Sequence, residues 1–115
     1  MSRRIMVCGN DAALLQTRLL VLKQAGFAVI SACSRDQIDS LPLEPAVELG
    51  VLGHSLSEEE QASIAERLRA RWPGAKILFL TEHRASLKKV AENVYRSDSF
   101  QPSQFVADCR EILGA

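Results

Sequence analysis

Apolar residues fall in short unbroken runs, separated by stretches where they recur every three or four positions. Ile5 to Cys8 is apolar throughout and is stopped by Gly9-Asn10-Asp11. A run without alternation predicts a strand buried on both faces. Asn10 or Asp11 can cap a following helix in which Leu15, Leu19 and Leu22 recur at helical spacing. Leu14, Val21 and Ala25 widen its apolar stripe, and Gly26 ends it. Phe27-Ala28-Val29-Ile30 predicts a second strand. A weak helix over 35–41, carrying Ile38 and Leu41, is closed by Pro42 and Pro45.

Val47, Leu49, Val51 and Leu52 predict a third buried strand, cut off by Gly53. Ser57 and Glu60 have the spacing of a capping box, and Glu58, Glu59 and Glu60 complement the positive end of the helix dipole. Ile64, Ala65 and Leu68 form the inner face of that helix, which Trp72-Pro73-Gly74 closes. Ile77 to Leu80 is a fourth strand, ending at Thr81. Leu87, Val90 and Ala91 are spaced for a short helix, and Val94-Tyr95-Arg96 for a brief fifth strand. Phe105, Val106, Cys109, Ile112 and Leu113 line a last helix. Strand and helix thus alternate five times. Helix-length crossovers imply parallel pairing, with both sheet faces covered. The expected fold is α/β: a doubly wound (βα)5 domain with a five-stranded parallel sheet in three layers, one domain over 1–115.

Composition narrows the function classes. The 115 residues are 47% hydrophobic and 24% charged, with a net charge of zero. A nucleic-acid binder needs a basic excess or stripe to neutralise phosphates. Here Arg67, Arg69, Arg71 and Lys76 are balanced by Glu58, Glu59, Glu60 and Glu66. No apolar run approaches a membrane span, and the one before Gly9 is too short for a signal-peptide core. Cys8, Cys33 and Cys109 are scattered, without a CxxC spacing, which fits a reducing cytoplasm rather than a disulfide framework. Neither nucleic acid nor membrane is an expected partner.

Ligands of open parallel sheets gather outside the carboxyl ends of the strands. The loops there are Gly9-Asn10-Asp11, Gly53-His54-Ser55, Thr81-Glu82-His83 and Ser97-Asp98-Ser99. His54 and His83, with Asp11, Glu82 or Asp98, are weak metal candidates, since no histidine spacing supports a site. His54 and Ser55 are adjacent, so in extended chain they point to opposite faces and form no dyad. The G-x-S-x-G elbow is absent, and Gly9-Asn10-Asp11 is not a phosphate loop. Cys8 and Cys109 read as small buried hydrophobes. Cys33 is the most exposed of the three, with nothing near it in sequence to activate a thiol. No cofactor is implied.

With these elements in place, the chain resembles the receiver domains of two-component response regulators, a flavodoxin-like architecture. The resemblance rests on element order, on Ala25-Gly26-Phe27-Ala28-Val29, on Thr81, and on Tyr95 three residues before Asp98-Ser99-Phe100. A working receiver pairs acids after the first strand to hold Mg²⁺. An aspartate nucleophile ends its third strand. A Ser or Thr ends the fourth, and a Lys-Pro pair follows the fifth, the lysine stabilising phosphoryl charge. On this sequence the acid pair falls on Gly9 and Asn10, with Asp11 beside them. The nucleophile falls on Gly53, the lysine on Asp98 and the proline on Ser99.

The resemblance is therefore to a degenerate receiver, a pseudo-receiver, and implies no enzyme. It implies a phosphorylation-independent protein–protein interaction module, an adaptor or stand-alone regulator in bacterial two-component-type signalling. Its partner would be a histidine kinase, another receiver or a second copy. The expected contact face carries Lys88, Lys89, Tyr95, Arg96, Gln101 and Gln104. Thr81 and Tyr95 stand at the positions that couple the trigger to that face. The alternative is a small-ligand or metal sensor at the remodelled edge, using Asn10, Asp11, His54, His83 and Asp98. Residual phosphotransfer on Ser55 or Asp11 would need chemistry away from the family's site.

Overall fold

The first apolar run becomes β1 (Arg4–Cys8), an interior strand of the sheet, with Ile5 to Cys8 wholly buried. The computed structural model describes residues 3–82, 86–98 and 101–114. Asp11 caps α1 (Ala12–Gln24), its carboxylate accepting from the Leu14 N–H at 3.1 Å. Gly26, with φ of 100°, turns the chain out of that helix into β2 (Ala28–Ser31). Then follow α2 (Arg35–Ser40), β3 (Leu49–Leu52) and α3 (Glu58–Arg71). The expected capping box is present on α3: the Glu60 N–H donates to Ser57 Oγ at 3.1 Å, and the Ser57 N–H to Glu60 Oε1 at 2.9 Å.

β4 (Lys76–Leu80) completes a parallel core in which β1 lies between β2 and β3, and β3 pairs with β4. The helices cover both faces. Leu22 of α1 joins Phe105, Cys109, Ile112 and Leu113 of α4 (Pro102–Leu113) over Ile5, Val7, Leu49, Val51, Leu78 and Leu80. On the other face, Ile38 of α2 and Ile64, Ala65 and Leu68 of α3 pack over Met6, Cys8, Leu52 and Ile77. This is the α/β, flavodoxin-like fold of three layers that the sequence predicts.

One element differs. The segment expected to be a short helix around Leu87, Val90 and Ala91 is a strand, β5 (Lys88–Ala91). It pairs antiparallel with β6 (Val94–Ser97), which in turn is parallel to β4. The sheet therefore has six strands in the order β2-β1-β3-β4-β6-β5, not five, and one edge is antiparallel. The reason is local. Three apolar residues at helical spacing supply barely one turn, too little to offset helix nucleation. Asn93, with φ of 59°, adopts the left-handed conformation that asparagine tolerates, and it reverses the chain tightly into β6. All four β5 residues are exposed, so the hairpin forms an open sheet edge bearing Lys88 and Lys89.

Candidate functional site

The strand order reverses between β1 and β3, so the crevice at their carboxyl ends is where this architecture places a ligand. The first loop there is tied to the third. The Gly53 N–H donates to the Cys8 carbonyl at 2.8 Å, and the Asn10 N–H donates to Ser55 Oγ at 2.8 Å. Asn10 Nδ2 reaches the Ser55 carbonyl at 3.4 Å, and Gln61 Nε2 donates to the Gly53 carbonyl at 3.0 Å. Asn10 and Ser55 thus cross-link two loops, and the Asp11 carboxylate is engaged in capping α1.

Gly53 is buried, and the space beside it is filled from α1. A Cβ built on Gly53 would lie 2.9 Å from Arg18 Nη1, 3.2 Å from the Cys8 carbonyl oxygen and 3.6 Å from Gly9 Cα. Arg18 itself is 6% exposed. It lines a small apolar pocket with Leu14, Thr17, Val21, His54 and Phe105. Burial draws the guanidinium below its ordinary pKa, and the nearby Asp11 charge partly offsets this. Among the described residues Arg18 forms no ion pair. Sequence reading passed over this residue. The available signal was an arginine between Leu15 and Leu22, inside the apolar stripe of α1.

The residues expected to form one contact face lie on two sides of the sheet. Lys88 stands opposite Arg96, and Lys89 opposite Tyr95. Tyr95 packs on the α1 and α4 side. Gln101 and Gln104 lie at the start of that α4 helix, where Gln104 Nε2 donates to Asp108 Oδ1 at 2.8 Å. Arg96 turns the other way. It lines an open groove against α3 with Leu56, Gln61, Ala62, Phe79 and Thr81. The Thr81 N–H is anchored by the Ser97 carbonyl at 3.0 Å. Asp98 is half-buried just beyond β6. His83, Ser99 and Phe100 lie outside the described residues, and among those described no three metal-ligating side chains cluster.

Beneath the other flank of the edge, two cysteines meet that are 25 positions apart in sequence. Cys33 is half-buried, accepts from the Gly9 N–H at 3.3 Å, and faces the buried thiol of Cys8. The expectation that nothing near Cys33 activates it is corrected here. The Cys8 hydrogen bond, with smaller help from Gly9 and Ser31, outweighs burial and holds the Cys33 thiol down to about 6. Cys8 shifts far upward in return. Cys109 is buried in the core, as expected, and burial pushes it up to about 12.

The architecture is that of response-regulator receivers. The chain is similar over its whole length to a response regulator from Thermotoga maritima, at 18% identity and a TM-score of 0.74, covering 100% of both chains. It is similar to a CheY-like receiver domain protein from Methanospirillum hungatei, at 19% identity and a TM-score of 0.71, over 99% of this chain and 95% of the other. In sequence, 82 residues (71% of the chain) are 27% identical to AlgB, the alginate biosynthesis transcriptional regulatory protein of Pseudomonas syringae. The chain covers only 18% of that regulator's length. No protein-family model matches the chain. Among the described residues, no helix is long and apolar enough to cross a membrane.

Proposed function

We propose that this chain is a non-enzymatic receiver-type module of bacterial two-component signalling that binds a partner protein without being phosphorylated. The observation that supports this is the Gly53 position. A glycine offers no nucleophile, and the guanidinium of Arg18 fills the space where a nucleophile's side chain would stand. With Asn10 and Ser55 bonded to one another and Asp11 capping α1, no paired acids stand among the described residues of these two loops to hold a divalent cation.

What remains is surface. The β5–β6 hairpin with its open edge departs from a regular doubly wound sheet, and a groove runs beside Arg96. A sheet edge can accept a strand, and the exposed Lys88 and Lys89 on this one favour an acidic strand. The partner is a protein: a histidine kinase, another receiver or a second copy.

The test is to incubate the protein with Mg²⁺ and an acyl phosphate donor, then read its intact mass. No added phosphoryl group is expected. A stoichiometric phosphoryl adduct on any residue would overturn the phosphorylation-independent reading. Pull-down with Arg96→Glu as the control then reports on the face.

A further inference from the structure

The Cys8 and Cys33 sulfurs lie on the face of the sheet away from Arg18, at the ends of neighbouring strands. Val7 pairs with Ser31, the last residue of β2; Cys33 follows two residues later, its sulfur 3.3 Å from the Gly9 nitrogen that adjoins Cys8, and both cysteines pack in one cluster. The Cys33 backbone is held, its N–H donating to Gln37 Oε1 at 2.7 Å. Its sulfur has two settings. Protonated, it donates to the Gly9 carbonyl over a long 3.7 Å; as a thiolate it accepts from the Gly9 N–H at 3.3 Å and from the Cys8 thiol. The second set of contacts is the stronger, because both donors then face an anion.

We propose that Cys33 and Cys8 form a hydroperoxide-reactive dithiol, Cys33 as the attacking thiol and Cys8 as the thiol that resolves it into a disulfide. The half-exposed position of Cys33 admits a small oxidant, whereas Cys8 is wholly buried and reacts only with its neighbour. In the first step the Cys33 thiolate attacks one peroxide oxygen and the O–O bond breaks. Cys33 becomes a sulfenic acid, and the departing hydroxide takes a proton to become water. In the second step the Cys8 sulfur attacks Cys33 and the S–O bond breaks. The leaving hydroxide takes the Cys8 proton, giving a second water. The cysteine pair loses two electrons and the peroxide gains them.

The groups that face this pair are few. Cys8 is approached by Cys33 and, more weakly, by the Glu60 charge on α3. Cys33 is approached by Cys8, the Gly9 amide and the Ser31 hydroxyl. Closing the disulfide would fasten the carboxyl end of β1 to the loop entering α2, beside the Gly9-Asn10 turn. The site stands independently of how Gly53 is read.

The experiment treats the folded, reduced full chain with limiting hydrogen peroxide at neutral pH. Intact mass and peptide mapping follow, with a thiol reductant as the reverse step. Loss of two hydrogens, Cys8–Cys33 cross-linked peptides and full reversal are expected. Cys33→Ser should abolish the reaction, and Cys8→Ala, which also removes the main donor to the Cys33 thiolate, should react more slowly and stop at a single added oxygen that dimedone traps. Because Cys8→Ala removes a core side chain, the wild-type chain carries a second test: iodoacetamide labelling of Cys33 against pH. A midpoint near 6 supports the site. A midpoint near the ordinary thiol value of about 8.5, or peroxide products without the Cys8–Cys33 cross-link, overturns it.

Discussion

Arg18 and Gly53 occupy one another's space: the guanidinium of the first lies where the second would carry a side chain. Each explains the other. A buried arginine needs room among backbone atoms, and a glycine provides it. A side chain at residue 53 would have to share the crevice with a cation, not with a metal ion held by paired acids.

Gly53→Asp should therefore not restore phosphoryl transfer. The new carboxylate meets Arg18, whose far end can shift, and the resulting ion pair removes its freedom to act as a nucleophile. Intact mass after acyl phosphate and Mg²⁺ should stay unchanged. Arg18→Met is the complement. It replaces a buried charge that has no ion-pair partner among the described residues with an apolar side chain of similar volume. Stability should hold or rise by about 1 kcal/mol in urea unfolding. A loss of several kcal/mol would mean that the guanidinium is structurally required.

Gly50 tests packing in the core of the same strand. A Cβ there would lie 2.4 Å from Leu68 Cδ2 and 3.5 Å from Ile77 Cδ1, both in the buried layer between β3 and α3. Gly50→Ala forces α3 outward or Leu68 off its rotamer, and should cost about 1–3 kcal/mol. The urea midpoint should fall with the slope unchanged. A midpoint equal to wild type would show that Leu68 turns aside freely.

The doubly wound core was legible because Ile5 to Cys8, Leu49 to Leu52 and Ile77 to Leu80 are buried over nearly their whole lengths, and capping residues such as Ser57 and Glu60 act locally. The hairpin was not. Leu87, Val90 and Ala91 fit a helical turn as well as they fit a strand, and the deciding feature was the left-handed Asn93 together with pairing to β6. At the edge, substitutions at Gly53 and Asp98 can be read position by position. What fills the vacated space cannot, because Arg18 arrives from another element. The Cys8–Cys33 contact was hidden for the same reason, since strand register brings together residues with no common sequence motif.

The thiol pair also predicts a pH dependence of folding. In the unfolded chain Cys33 titrates near the ordinary thiol value, about 8.5; in the folded protein it titrates near 6. Between these values the unfolded chain binds more protons, so stability rises with pH. The contribution is complete above the unfolded value and lost as pH falls through 6. Cys8 and Cys109 shift upward instead, so they stay protonated in the folded protein and begin to oppose stability as pH nears the unfolded thiol value of about 8.5. In reducing buffer the urea midpoint should increase from pH 6 to 8 in the wild type. In Cys33→Ser the increase should be smaller, and an equal increase in both would remove Cys33 as its source.

Arg96 offers the sharpest separation of binding from folding. It stands opposite Lys88 across the hairpin, and both side chains are exposed. Like charges directly opposed on a sheet are unfavourable, by a few tenths of a kcal/mol up to about 1. A surface carrying such a pair sacrifices a little stability, and an acidic partner segment would relieve it. Arg96→Glu turns the repulsive pair into an attractive one. The variant should unfold at a slightly higher urea concentration, by no more than about 1 kcal/mol, while losing at least about tenfold in partner affinity or self-association. Sedimentation velocity over a concentration series measures the self-association, and pull-down measures the partner. Raised stability with unchanged association would show that Arg96 and its groove are not the binding face, and would shift attention to Tyr95 on the opposite side of the sheet.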